Sequence, residues 1–168
     1  LPFRDLMKER SNAYLELPGE VELTTDLSKA LGADQIIVAV PAQLFRSLAR
    51  ELSRRNLERT DLVLCMKGLE LETGKRLSVV ALEEGVRCRS VSVWVGSGHL
   101  QDFVAGVPGC MLVVSEKEEA AKRVTGRMGS PLVRIYHSTD LIGCEIGAAA
   151  KNVIGIAAGM LDGMKMSG

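Results

Sequence analysis

Residues 35–52, QIIVAVPAQLFRSLAREL, carry the reading that decides the fold. After Gly32, Ala33 and Asp34, residues 35–40 form an apolar, β-branched run. That composition suits a strand covered on both faces, as in a parallel sheet. Pro41 then fits the first turn of a helix, because it lacks only an N–H that would be unpaired there anyway. The helix is expected to run to about Leu52, with Leu44, Phe45, Leu48 and Leu52 on one face and Arg46, Arg50 and Glu51 outward.

Reading outward, the same alternation continues. Residues 61–66, DLVLCM, predict a strand that Lys67 and Gly68 end, followed by a loop turning at Gly74 and a helix over 77–84 stopped by Gly85. Residues 90–95, SVSVWV, predict a third strand ending at Gly96, Ser97, Gly98 and His99, with Trp94 in the core. A short helix with Leu100, Phe103 and Val104 breaks at Gly106 and Pro108. A strand over 110–114, a helix over 117–128 and a strand over 133–136 follow. The charges of 116–127 read as a solvated helix face. Upstream, 21–24 reads as a short strand and 26–31 as a short helix capped by Thr25 or Asp26. Strand and helix in alternation predict an α/β doubly wound, mostly parallel sheet.

The last segment, 140–163, reads as one long helix capped by Thr139 or Asp140. Gly143, Gly147, Lys151, Gly155, Gly159 and Gly163 recur every fourth residue, close to one stripe of that helix. Each glycine weakens a helix by about 1 kcal/mol relative to alanine, so the stripe needs a packing or ligand-access reason. It points the Lys151 ammonium into a bare surface, with Asn152 beside it. A membrane span is disfavoured, because Glu145, Lys151 and Asn152 would each cost a few kcal/mol in the bilayer. Glu145 precedes Lys151 by six residues and so faces elsewhere, in a structural pairing.

With 21 basic and 21 acidic residues, the chain carries no net charge to favour a nucleic-acid or anionic-membrane partner. Cys65, Cys88, Cys110 and Cys144 are widely spaced without a C-x-x-C pair. They read as reduced, mostly buried thiols of a cytoplasmic protein, with no metal site. The sequence has no initiator Met and stops just after the long helix. The expectation is a piece of a longer chain, with 1–138 a partial sheet domain lacking its N-terminal part and 139–168 the start of an all-α domain.

Ligands on such sheets collect at the carboxyl ends of the strands. Pro41-Ala42-Gln43, Lys67-Gly68 and Gly96-Ser97-Gly98-His99 all fall there, and Lys151 approaches from the next domain. No G-x-G-x-x-G occurs anywhere.

These residues carry a resemblance. The blocks Val40-Pro41-Ala42-Gln43, Cys65-Met66-Lys67-Gly68-Leu69-Glu70 and Gly96 to Asp102 come in an order that, with Gly143-Cys144-Glu145 and Gly147-Ala148-Ala149-Ala150-Lys151-Asn152-Val153-Ile154, resembles the bacterial-type NAD(P)-dependent glycerol-3-phosphate dehydrogenases. The resemblance implies a Rossmann-like sheet, NAD or NADP as cofactor, and hydride transfer between sn-glycerol 3-phosphate and dihydroxyacetone phosphate in phospholipid precursor synthesis. It implies that Lys151 exchanges a proton with the C2 oxygen. It assigns Lys67 to both substrate and cofactor, Asn152 to the same pocket, and Gly96 and Gly98 to a turn at substrate and nicotinamide. Pro41, Gln43 and Leu100 would contact the cofactor. The chain departs from the family where Ser97, Gly98 and Leu100 stand, while His99 and Asp102 keep the pattern. His99 reads as a packing residue and His137 has no assigned role. A homodimer is compatible with the family. Three alternatives remain open at this point: a related two-domain hydroxy-acid or sugar dehydrogenase, a non-catalytic chain that keeps part of the fold, and a bare α/β binding module.

Overall fold

The computed structural model describes residues 3–12, 15–96 and 100–166. Five strands build one sheet in the order β1-β2-β3-β4-β5: Gln35–Val38, Leu57–Leu64, Cys88–Gly96, Gly109–Ser115 and Val133–Ser138. Six α-helices accompany it: α1 (Phe3–Glu9), α2 (Phe45–Ser53), α3 (Leu77–Glu83), α4 (Leu100–Val104), α5 (Glu118–Met128) and α6 (Leu141–Gly163).

Period-2 alternation sorts the core onto the two faces of the sheet. Leu62 and Leu64 of β2, Val93 of β3 and Val114 of β4 face one side. There they pack with Phe45, Ala49 and Leu52 of α2, Leu77, Val80 and Ala81 of α3, and Leu141 of α6. Val63 and Val113 face the other side, against Ala121 and Val124 of α5, with Trp94 half-buried beside them. Helices on both faces explain why the strand sequences read as continuous apolar runs.

The sheet is mostly parallel, as expected, with one antiparallel pair. β1, β2 and β3 are parallel, but β3 and β4 are antiparallel, and β5 is parallel to β4. A parallel return needs a crossover of a dozen or more residues, usually through a helix that spans the sheet. The connection between β3 and β4 carries α4, a helix of five residues. The reversal sets the site. β5 ends at the amino end of β1–β3, so α6 starts there and climbs toward their carboxyl ends. Leu141 and Val91 line one cleft at the lower level. From Leu141 to Lys151 the helix rises about 15 Å, and from Val91 to Gly96 the strand rises about 17 Å. Lys151 therefore arrives level with Gly96.

Residues 21–24 form no strand, because no sheet edge is beside them. The segment is instead held by Arg10, whose Nη2 donates to the Val21 carbonyl at 2.7 Å. Asp26 caps a 3-10 turn at Leu27–Ala30, accepting from the Ser28 N–H at 2.9 Å. The helix expected from Pro41 begins as a 3-10 turn at Ala42–Leu44, which leaves Leu44 exposed and gives the buried position to Ala49.

Two clusters of charge depart from the solvated faces expected. Asp61, fully buried at the amino end of the sheet, accepts from Arg89 (2.7 Å), Arg123 (2.7 Å), Arg127 (3.1 Å) and the Ser90 hydroxyl (2.7 Å). Arg123 and Arg127 come from the supposedly solvated face of α5. Arg46 turns inward to Glu70, Glu83 and Glu84. The thiols are all unpaired; Cys65, Cys88 and Cys144 are half-buried, but Cys110 is exposed.

By length and composition alone, α6 is long and apolar enough to cross a membrane. Its first turns are buried on the sheet through Leu141 and Glu145. A Cβ on Gly147, Gly155, Gly159 or Gly163 would meet nothing within 4 Å, so no described backbone packs on the glycine stripe. Only Gly143 is tightly occupied, by the carboxylate of the cap Asp140, which accepts from the Gly143 N–H at 2.8 Å.

Candidate active site

The carboxyl ends of β2 and β3 and the first three turns of α6 line a cleft of about 310 Å³. Two lysines line it: Lys67, just after β2, and Lys151 from α6. Its walls are small or apolar, with Val95 and Gly96 on the sheet side and Gly143, Cys144, Gly147 and Ala148 on the helix side. Both lysines are exposed at its rim. Two cations beside an uncharged, low-bulk wall suit a small anionic molecule next to a flat neutral ring, because the amines hold charge while the wall admits the ring.

The Lys67 loop is braced from α2 and its leading turn. Gln43 uses both ends of its amide: Nε2 donates to the Leu69 carbonyl and Oε1 accepts from the Leu71 N–H, each at 2.9 Å. Arg46 forks onto Glu70 at 2.5 and 2.7 Å. That guanidinium, then the Thr73 hydroxyl, holds the Glu70 carboxyl down to about 2. Gly68, at φ +127°, makes a turn that a side chain would strain.

Gly96 is held bare by its neighbours. A Cβ there would collide with the Met111 side chain and come within 3.1 Å of the Cys110 carbonyl and the Met111 Cα. Gly96→Ala is therefore expected to cost about 1–3 kcal/mol in thermal unfolding and to narrow the cleft. An unchanged Tm would contradict this packing.

Of the residues singled out in the sequence, Lys67, Gly96 and Lys151 share the cleft. Asn152 is exposed on α6, and Pro41 and Gln43 are exposed beside the 3-10 turn; none of the three lines the cleft. Ser97, Gly98, His99 and the side chain of Leu100 lie outside the described residues. His137 sits 3.8 Å from Glu118, away from the cleft lining. No cluster of metal ligands occurs among the described residues.

Glu145 does pair structurally. It is buried and accepts from the Ser78 N–H (2.9 Å), the Ser78 hydroxyl (2.5 Å) and Arg76 Nη1 (2.8 Å). The partners lie 67 and 69 residues away, so their identity could not be read from local pattern.

Comparison with known proteins follows the same outline. Residues 3–121 match the model of the NAD-dependent glycerol-3-phosphate dehydrogenase N-terminus, and 140–168 match that of the C-terminus. A glycerol-3-phosphate dehydrogenase [NAD(P)+] of Moorella thermoacetica is 39% identical over 151 residues, covering 89% of this chain and 44% of that protein. One from Bradyrhizobium sp. (strain BTAi1 / ATCC BAA-1182) is 35% identical over 152 residues, covering 90% and 46%. The chain thus spans about half the length of the curated relatives it matches. Among solved structures, the glycerol-3-phosphate dehydrogenase of Coxiella burnetii superposes with a TM-score of 0.85 at 23% identity, covering 98% of this chain and 52% of that one. These structures share the fold.

Proposed function

The chain belongs to the NAD-dependent glycerol-3-phosphate dehydrogenase family, and from that premise we propose that it supplies the substrate-facing half of an enzyme that interconverts sn-glycerol 3-phosphate and dihydroxyacetone phosphate. The observation that carries this reading is the single cleft holding Lys67, Gly96 and Lys151. On this reading 1–138 is part of the cofactor-binding sheet domain and 139–168 opens the helical substrate domain.

The cleft fits the reacting end of NAD or NADP, since Val95, Gly96, Gly147 and Ala148 offer a flat ring no charge and little bulk. The described residues contain no G-x-G-x-x-G turn for the pyrophosphate. When bound, the nicotinamide supplies or accepts the hydride at substrate C2.

Lys151 answers the charge that this transfer creates. In the reducing direction the C2 oxygen becomes negative, and an ammonium about 3 Å away stabilises it and then gives it a proton. In the oxidising direction the amine takes that proton back. Lys67, from the braced loop, holds the anionic substrate against the wall. Asn152 provides a neutral donor and acceptor next to Lys151, and Gly96, with Gly98, leaves room at the turn. Pro41, Gln43 and Leu100 form the cofactor's outer border, where Gln43 acts by fixing the Lys67 loop.

Glu145, Lys151 and Asn152 would each be costly in lipid, so α6 is assigned to protein packing and the protein to the cytoplasm. Four unpaired thiols fit that compartment. A homodimer is the proposed assembly.

Lys67→Ala is expected to raise KM for dihydroxyacetone phosphate and lower kcat/KM by about 10- to 100-fold, the loss of one charge-assisted hydrogen bond. Steady-state kinetics of the full natural chain test this. Unchanged KM and kcat would remove Lys67 from the site.

A further inference from the structure

Among the described residues, no hydrogen bond or ion pair holds the Lys151 side chain. Among the described residues of α6, the buried side chains are Leu141 and Glu145, and every residue from 151 to 166 is exposed. Between Glu145 and Lys151 nothing is fully buried. Cys144 packs against the core and Ala148, Ala149 and Ala150 are half-buried, so among the described residues the contacts that seat this stretch of helix lie at 141–150, and the one charged contact among them is that of Glu145.

Leu141 contributes apolar contact, which is non-directional and tolerates sliding. Glu145 contributes direction. Its two carboxylate oxygens accept from three donors on one short stretch, Arg76 and Ser78, at the start of α3. α3 is packed in the main core through Leu77, Val80 and Ala81. A slip of one residue would turn α6 by about 100° and shift it about 1.5 Å, breaking all three bonds. The same slip would carry Lys151 off the wall that Gly96 and Val95 form.

We infer that Glu145, fixed by Ser78 and Arg76, is the positioning residue that sets Lys151 in register with Lys67 and Gly96. This rests on the function proposed above. The tether is not in contact with the cleft: neither Glu145, Ser78 nor Arg76 lines it. It acts through the rigid turn and a half of helix between 145 and 151.

The test is made in the full natural chain, with active sites counted by NADH-binding stoichiometry. Glu145→Ala is expected to lower kcat by about 10- to 100-fold per site, the cost of misplacing a reacting group by about 1 Å, while the Kd for NADH moves less than about twofold. Glu145→Gln keeps the shape and an acceptor for the Ser78 N–H, and is expected to return kcat to within about fivefold of wild type. In the Lys151→Ala background, Glu145→Ala should cost nothing further in kcat, because the two act as one unit. A purely structural role would lower the number of folded sites but leave kcat per site intact, and that result would overturn the inference. So would a full, independent loss in the double variant. Should Glu145→Ala fail to fold, Ser78→Ala removes one donor and is expected to lower kcat about threefold, and an unchanged kcat there overturns the tether. The two failures separate: an active Lys151→Ala overturns the proposed function and the tether with it, whereas an inactive Lys151→Ala beside a fully active Glu145→Ala overturns the tether alone.

Discussion

Lys151→Ala is expected to lower kcat by about 10³-fold or more, because in the proposed mechanism one substitution removes both the cation at the C2 oxygen and the proton it exchanges. Cofactor affinity should change little, since the alanine leaves the apolar wall of Val95, Gly96, Gly147 and Ala148 in place. The variant should also fold as wild type does. Lys151 is exposed, and no ion pair or hydrogen bond among the described residues depends on it. Lys151→Arg separates the two roles. Arginine keeps the positive charge but does not give up its proton near neutral pH, so turnover should remain severely reduced while substrate binding is largely retained. Steady-state kinetics with substrate-saturation curves for both variants decide this. Normal turnover in Lys151→Arg would mean that charge alone suffices, and normal turnover in Lys151→Ala would remove the residue from the chemistry.

The largest expected effect on stability lies at the other end of the sheet. Asp61→Ala is expected to destabilise the fold by about 3–5 kcal/mol, as removing one side of a buried ion pair does. The carboxylate is fully buried on β2, and three guanidiniums and the Ser90 hydroxyl converge on it. Without it, Arg89, Arg123 and Arg127 would face one another across an apolar gap. Their partial exposure lets them recover some hydration, which places the loss toward the lower end of that range. The same site predicts an acid dependence. Burial alone would raise the Asp61 carboxyl, but hydrogen bonds from Arg123, Ser90 and Arg89 outweigh it and hold it well below the ordinary carboxylate range. Its contribution is therefore complete above the unfolded-state value of about 3.9 and is lost as pH falls through the folded one. Urea unfolding of wild type should weaken below about pH 4, and Asp61→Ala should show a flatter acid limb. Equal acid limbs in the two proteins would show that Asp61 is not responsible.

What could be read from the chain and what could not follow from the range of the interactions. β-branched runs between glycines located β1–β5 because each strand announces itself within a few residues. The face of α6 that carries Glu145 separated from that of Lys151 because helical periodicity is local. The direction of β4 was not legible, because a strand pattern is the same read in either sense. Asp61 was read as the first residue of an apolar strand, since its partners lie 28 to 66 residues away on β3 and α5. Arg123 and Arg127, four apart on α5, looked like a solvated pair for the same reason. In the candidate site, Lys67, Gly96 and Lys151 were each visible beside a strand end or on the glycine stripe. The bracing of the Lys67 loop by Gln43 and Arg46 was not, because it joins positions 24 to 28 residues apart.

The cleft of Lys67, Gly96 and Lys151 is proposed to reduce a phosphorylated ketone with a nicotinamide cofactor. The most direct measurement is oxidation of NADH and of NADPH by the full natural chain on addition of dihydroxyacetone phosphate, with the product identified chromatographically. Stoichiometric formation of glycerol 3-phosphate is expected, with no turnover of unphosphorylated dihydroxyacetone at equal concentration. Cofactor oxidation on a panel of hydroxy or keto acids but not on dihydroxyacetone phosphate would contradict it, as would binding of neither nucleotide.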